Sequence, residues 1–377
     1  MKGIQMVDLK GQYDRMSTEI NAAIQDVIDA SAFINGPEVG KFSNELASFL
    51  NIPYVIPCGN GTDALQVALM ALNLNPGDEV ITTPFSFISS IEVIKLLGLV
   101  PVLVDVDPGT FNIDPSHIEK AIGRKTRAVI PVHLFGQCAG MEAILDIAAK
   151  HGLKVIEDAA QALGADYKFG DGGSKKAGTL GTMGTTSFFP SKSLGCYGDG
   201  GAIMTSDSSL YDKLKSIVNH GSKVKYYYNE VGVNSRLDTI QAAVLSVKLR
   251  HLSSFIEARQ KAAACYDRAL GDVSQVKIPD RAAYSTHIFH QYTLVLKQAG
   301  RDRLVEYLRS KQIPVMVYYP RPLHLQTAYH DLGYANGKFP VSESLSKSVF
   351  SLPMHTELET DQIEYICLHL KEYLSGK

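Results

Sequence analysis

Apolar positions along the chain follow two rhythms that take turns. From Ser17 to Ala30, Ile20, Ala23, Ile24, Val27 and Ile28 recur at the spacing of one helical face, and after Pro37 the residues Val39, Phe42, Leu46 and Phe49 repeat it. Two amphipathic helices are therefore predicted at the start. Short β-rich runs then alternate with helical stretches: Tyr54 to Ile56 and Thr62 to Leu72, Glu79 to Ile81 and Ser86 to Leu97, Val100 to Val104 and Pro115 to Ile122. Ala128 to Val132 leads into a helix at Met141 to His151, and Leu153 to Ile156 follows. Runs apolar on both sides suit parallel strands covered by helices on both faces, so this half reads as an open α/β sheet.

Lys168 to Gly184, rich in Gly, Lys and Ser and without periodicity, reads as a surface excursion ahead of a strand at Thr185 to Phe189. One long helix is predicted from Arg236 to Ala269. Different material follows: an alternating strand at His287 to Leu296, a helix at Asp302 to Lys311 and a last helix at Asp361 to Leu374. A chain of 377 residues exceeds the size at which single cores stop growing. Two unequal domains are expected, 1–250 and 251–377, with the boundary inside the long helix.

The net charge of -2 offers no basic field for nucleic acid. Five cysteines, Cys58, Cys138, Cys196, Cys265 and Cys367, are odd in number and widely spaced, which indicates neither a disulfide framework nor a zinc site. No cluster of His, Cys or carboxylates has metal-ligand spacing, so no metal is expected. No apolar run approaches the roughly 20 residues that cross a bilayer, and a cytoplasmic protein without a membrane partner is expected.

Candidate chemistry lies at three strand ends. In Ser187-Phe-Phe-Pro-Ser-Lys-Ser-Leu-Gly195 one lysine, Lys192, sits between a buried strand and a glycine-rich turn, although an exposed loop lysine is the ordinary alternative. Leu153 to Ile156 runs into Glu157-Asp158-Ala-Ala-Gln161, placing Asp158 at the carboxyl edge of the sheet, where open α/β folds bind ligands and where an N-cap is the plainer reading. Cys58-Gly-Asn-Gly-Thr-Asp-Ala64 joins a strand to a helix, so main-chain N–H groups and a hydroxyl face any bound anion. Taken together, lysine, carboxylate, phosphate cup and a flat group are what pyridoxal phosphate requires, with Phe87 the candidate for the flat group.

Those segments, together with Gly232-Val-Asn-Ser-Arg-Leu-Asp-Thr-Ile-Gln-Ala-Ala243, resemble the DegT/DnrJ/EryC1/StrS sugar aminotransferases over nearly the whole chain. Within that family the chain is most similar to enzymes that aminate a 3-keto nucleotide sugar, such as a UDP-linked 3-keto N-acetylglucosaminuronate. The resemblance implies a fold type I enzyme, with a large mixed sheet for the cofactor and a smaller α+β C-terminal domain. It also implies a homodimer. Gly61, Thr62 and Ser187 would bind the phosphate, Asp158 the ring nitrogen, Gln161 the ring hydroxyl region, Phe87 a ring face, and Lys192 would hold the cofactor covalently. Asn234 would reach the phosphate in the neighbouring subunit, and Arg236, Tyr318 and His324 would lie near the sugar. Phe87 and Tyr318 stand where many relatives have Tyr or Trp and His, and the 168–184 excursion is longer than usual.

The expected reaction is transamination of a nucleotide-linked keto-sugar, alternating the pyridoxal and pyridoxamine phosphate forms in ping-pong fashion, with glutamate as amino-acid donor by resemblance. Surface glycans or other deoxyamino sugars would be the destination. Three rivals are weighed. A pyridoxamine-dependent dehydratase of the same fold would carry histidine in place of Lys192, a non-catalytic regulator would have lost Lys192 or Asp158, and a nicotinamide enzyme would need Gly-x-Gly-x-x-Gly. His133 is read as a structural group and Tyr226, Tyr227 and Tyr228 as interface or surface.

Overall fold

A strand apolar at successive positions must be covered on both faces, and both covers are present. The computed structural model describes residues 2–376. Its main sheet is built from β1 (Tyr54–Cys58), β2 (Glu79–Thr82), β3 (Val100–Leu103), β4 (Thr126–Val129) and β5 (Lys154–Asp158). After a small hairpin, β6 (Asp166–Lys168) and β7 (Ser174–Lys176), the sheet is completed by β8 (Met183–Ser187) and β9 (Gly201–Thr205). The order is β1-β9-β8-β5-β4-β2-β3, and only β9 runs against its neighbours.

Neighbouring residues of each central strand serve different cores. Val80, Ala128 and Ile156 face one core with α3 (Gly61–Ala71), α4 (Ser89–Leu96) and α7 (Ser208–Ile217). Ile81, Val129 and Val155 face the other with α5 (Pro115–Ala121) and α6 (Met141–His151). The opening helices α1 (Leu9–Ala30) and α2 (Pro37–Leu50) pack on α8 (Thr239–Leu249). α1 begins eight residues earlier than its apolar rhythm, because Asp8 accepts the Gly11 N–H at 2.8 Å and caps a polar first turn.

The single helix expected from Arg236 to Ala269 is two, α8 and α9 (Leu252–Leu270). The turn at 250–251 has a physical reason: α8 packs beside the main sheet, whereas α9 leaves it from Leu252 and carries Ala262, Ala263, Tyr266 and Leu270 into a separate core. That core joins α9, α10 (Arg301–Ser310) and α12 (Thr360–Leu374) to an antiparallel sheet of β12 (Val276–Lys277), β13 (Tyr292–Leu296) and β14 (Val349–Leu352). α11 (Pro340–Ser348) precedes β14. A second hairpin, β10 (Ser222–Val224) and β11 (Tyr227–Tyr228), stands out from the main body with Tyr226, Tyr227 and Tyr228 exposed.

Because β1, β2, β4, β5 and β8 point the same way, the turns that leave them open on one edge. The site lies there. The 168–184 excursion is ordered by this edge: after the β6–β7 hairpin its chain turns inward and gives three N–H groups to buried Glu157, from Gly178 at 2.9 Å, Leu180 at 2.6 Å and Gly181 at 2.7 Å.

Candidate active site

A cavity of about 680 Å³ opens at the carboxyl edge of the sheet and is closed from the other side by the segments 290–291 and 318–326. Gly61, Thr62, Phe87, Asp158, Gln161, Ser187, Lys192 and Tyr318, each picked out from the sequence, line it together.

Its floor follows from local rules. Asp158 ends β5, where its main chain is fixed by Asp158 N–H to Pro131 O and His133 N–H to Asp158 O, both 2.9 Å. The Asp158 side chain accepts the Ala160 N–H at 3.1 Å. Burial raises its pKa, while that N–H and the Lys192 charge pull it back. Lys192 follows β8 on a turn closed by Lys192 N–H to Phe189 O at 2.8 Å. Its side chain is half-buried at the cavity border, and the desolvation there holds its pKa down to about 8 against the pull of Asp158. Each group thus stabilises the other's charge in a place that favours neither.

The phosphate cup is a close approach of main chain. α3 starts at Gly61 with Asn60 as N-cap, whose side chain accepts the Asp63 N–H at 2.8 Å. A Cβ on Gly61 would stand 2.6 Å from the Ser187 Cβ, so only glycine lets the helix start and Ser187 meet. The positive end of the α3 dipole, the Thr62 hydroxyl and Ser187 converge on a volume suited to a dianion. Thr62 Oγ1 also touches Ser89 Oγ at 2.7 Å, tying the cup to α4. With Lys192 and Asp158 facing the same space, this donor set fits pyridoxal phosphate: Gly61, Thr62 and Ser187 for the phosphate, Asp158 for the ring nitrogen and Lys192 for the carbonyl.

Gln161 is held at both ends of its amide, accepting the Phe135 N–H at 2.8 Å and donating to the Tyr319 hydroxyl at 3.2 Å. Behind the floor, His133 and Glu157 are both fully buried and joined at 2.8 Å. The Ala139 N–H donates to His133 Nδ1 at 3.1 Å, so Nε2 carries the proton given to Glu157. The pair is structural support.

His324 stands apart from this cavity. It was expected near the sugar, but it is buried outside the cavity wall, its ring 3.1 Å from Glu343 Oε1 and packed edge-on against Phe339. Glu343 also accepts N–H groups of Gly337 and Phe339, so the histidine helps to fasten the 337–343 turn. Asn234 and Arg236 do not line this chain's cavity either. Between them Ser235 is buried, taking the Gly59 N–H at 2.9 Å and donating to Asp63 at 2.6 Å, and Asn234 is left exposed.

Sequence reasoning missed several wall residues: Ser86, His290, Gln291, Tyr319, Arg321 and Gln326. His290 and Gln291 belong to a stretch expected to be strand. It is held instead by Gly136 O, which accepts the Ile288 N–H at 2.9 Å, and by Arg259, whose guanidinium donates to the carbonyls of Phe289, His290 and Met354. No local pattern announces such long-range anchors. Tyr319 and Arg321 had a signal, the Tyr-Tyr-Pro-Arg-Pro run, which reads as a rigid extended turn. Ser86 Oγ and His290 Nδ1 are buried without a hydrogen-bond partner among the described residues.

Comparison with known proteins agrees with this geometry. The DegT/DnrJ/EryC1/StrS aminotransferase family is matched over residues 14–371. A "pleiotropic regulatory protein" of Geobacillus stearothermophilus is 47% identical, with 98% of each chain covered. The UDP-2-acetamido-2-deoxy-3-oxo-D-glucuronate aminotransferase of Pseudomonas aeruginosa is 45% identical, covering 97% of this chain and 99% of its own. The crystal structure of ntda from Bacillus subtilis with bound cofactor PMP superposes with a TM-score of 0.89 at 30% identity, over 98% of this chain and 83% of that one.

Proposed function

The chain belongs to the DegT/DnrJ/EryC1/StrS aminotransferase family, and from that premise we propose a reading of its chemistry. It is a pyridoxal-phosphate enzyme that transfers an amino group to the keto carbon of a nucleotide-linked sugar. The carbon is C3, as the name of the Pseudomonas relative suggests, and the amino donor is glutamate. The observation that carries the reading is the meeting of a desolvated Lys192 and a buried Asp158 beside the Gly61 cup in one cavity.

Bound there, pyridoxal phosphate supplies a carbonyl for the donor's nitrogen and a ring that accepts the electron pair freed at the donor's α-carbon. The protein supplies the rest. Asp158, as a carboxylate, holds a proton on the ring nitrogen. Lys192 Nζ, a weak enough base to be neutral above about pH 8, takes the proton from the donor's α-carbon and later delivers one to C3 of the sugar. Gln161, locked between Phe135 and Tyr319, orients the ring edge, and Phe87 covers one face at the cavity mouth. Residues 1–250 form the cofactor domain and 251–377 the smaller domain that lends the opposite wall.

The working unit in this reading is a homodimer in which Asn234 and Arg236 serve the partner's cavity. Exposed apolar side chains at Phe33, Ile34, Val231 and the Tyr226–Tyr228 hairpin support such an interface. Five free cysteines and charged, phosphorylated reactants favour a cytoplasmic setting. No helix among the described residues is long and apolar enough to cross a membrane.

A regulatory reading has one observation in its favour, the description of the Geobacillus relative. A protein that only signals has no need to desolvate Lys192 against Asp158, which argues for catalysis. The test is incubation with glutamate and a panel of 3-keto nucleotide sugars: 2-oxoglutarate and an amino sugar should appear in equal amounts, and absence of both across the panel would refute the reading.

A further inference from the structure

Three side chains of the cavity wall can carry positive charge, Lys192, His290 and Arg321, and burial keeps His290 neutral. Lys192 has Asp158 beside it. Arg321 has no such answer: among the described residues its one hydrogen bond is accepted by its main-chain carbonyl, from Gln326 Nε2 at 3.4 Å, and its guanidinium is unpaired. An arginine left unpaired in the wall of a binding cavity is a receptor for an anion.

The path of the chain says where that anion sits. Tyr319 is half-buried, its hydroxyl held on the inner side by Gln161 at 3.2 Å. Two residues on, Arg321 is exposed, and after two more Leu323 is buried again with its N–H on Pro84 O at 2.8 Å. Pro320 and Pro322 fix the backbone on either side. Pro320 and Arg321 therefore form the exposed crest of a stiff arch, with Arg321 up to about 7 Å along the chain from Tyr319. Its place is the mouth, not the floor.

A nucleotide sugar entering this cavity must bring its keto carbon to Lys192. Its ring then lies deep, between the floor and the segment 290–291. The diphosphate, bonded directly to that ring, comes next on the way out. The carboxylate beside an amino donor's reacting carbon cannot reach so far. We propose that Arg321 receives the diphosphate of the nucleotide-linked substrate and selects activated over free sugars, an inference that rests on the reading of the cavity given above.

The test is calorimetric titration of UDP, and in parallel dTDP, into the cofactor-loaded protein, its Arg321→Met variant and its Arg321→Lys variant. Arg321→Met is expected to weaken binding of the preferred diphosphate about tenfold at low salt, with Arg321→Lys closer to wild type, and the gap should shrink as salt screens the charge. Affinity within twofold of wild type in Arg321→Met, a loss that does not respond to salt, or no diphosphate binding by the wild type would each overturn the proposal. The underlying reading fails separately, if glutamate leaves the spectrum of the cofactor-loaded wild type unchanged.

Discussion

In the proposed reaction Lys192 works because it is uncomfortable. Burial lowers its pKa to about 8, and only the neutral amine attacks a carbonyl. Below that value the neutral fraction falls about tenfold per pH unit. Uptake of pyridoxal phosphate by the cofactor-free protein should therefore quicken about tenfold from pH 6 to pH 7 and level off above about 8, followed by stopped-flow absorbance; a rate indifferent to pH would contradict the depressed amine. The sign for stability runs the other way from a salt bridge. Unfolded chain keeps this proton up to 10.5 while the native chain releases it near 8, so Lys192 detracts from stability at neutral pH and the deficit is recovered between those values. His290 is likewise kept uncharged, by burial first and then by the charges of Lys192 and Arg259.

At the scale of elements, the strand ends supply the chemistry and buried polar ties hold them in place. Glu157, next to Asp158 on β5, accepts three N–H groups from 178–181 and one from His133. Glu157→Gln turns an acceptor into a donor facing donors and should cost about 3 kcal/mol in chemical denaturation, with weakened cofactor affinity; a loss under about 1 kcal/mol would mean the ties are dispensable. Much of this layout was legible beforehand. Strands β1, β2, β4, β5 and β8 were read within a few residues; in β2, β4 and β5 the signal is a pair of consecutive apolar residues, Val80–Ile81, Ala128–Val129 and Val155–Ile156, one for each covered face. Where reading failed, the cavity had overridden local pattern. Ser86 to Ile88 looked helical and Phe289 to Gln291 looked extended, yet both stretches lie outside regular elements, and Ser86, Phe87, Ile88, His290 and Gln291 line the wall. That His324 sits on Glu343 was not legible, because the partner lies 19 residues away.

The whole molecule forms one cavity from two parts of the chain, with the floor from the main sheet and a wall from the C-terminal part. In the proposed dimer two further residues, Asn234 and Arg236, cross to the partner. Lys192→Ala and Arg236→Ala chains, each inactive alone, should then complement each other when mixed and refolded: half the dimers are hybrid and each has one intact site, giving about a quarter of wild-type activity. No recovery would confine each site to one chain. The central claim is met most directly by the visible absorption spectrum of the purified protein with pyridoxal phosphate, recorded before glutamate, after glutamate and after a 3-keto UDP-sugar, beside Lys192→Ala. A band that glutamate bleaches, that the keto-sugar restores and that the variant never forms is the predicted result; a wild type without the band, or one in which glutamate leaves it unchanged, would contradict it.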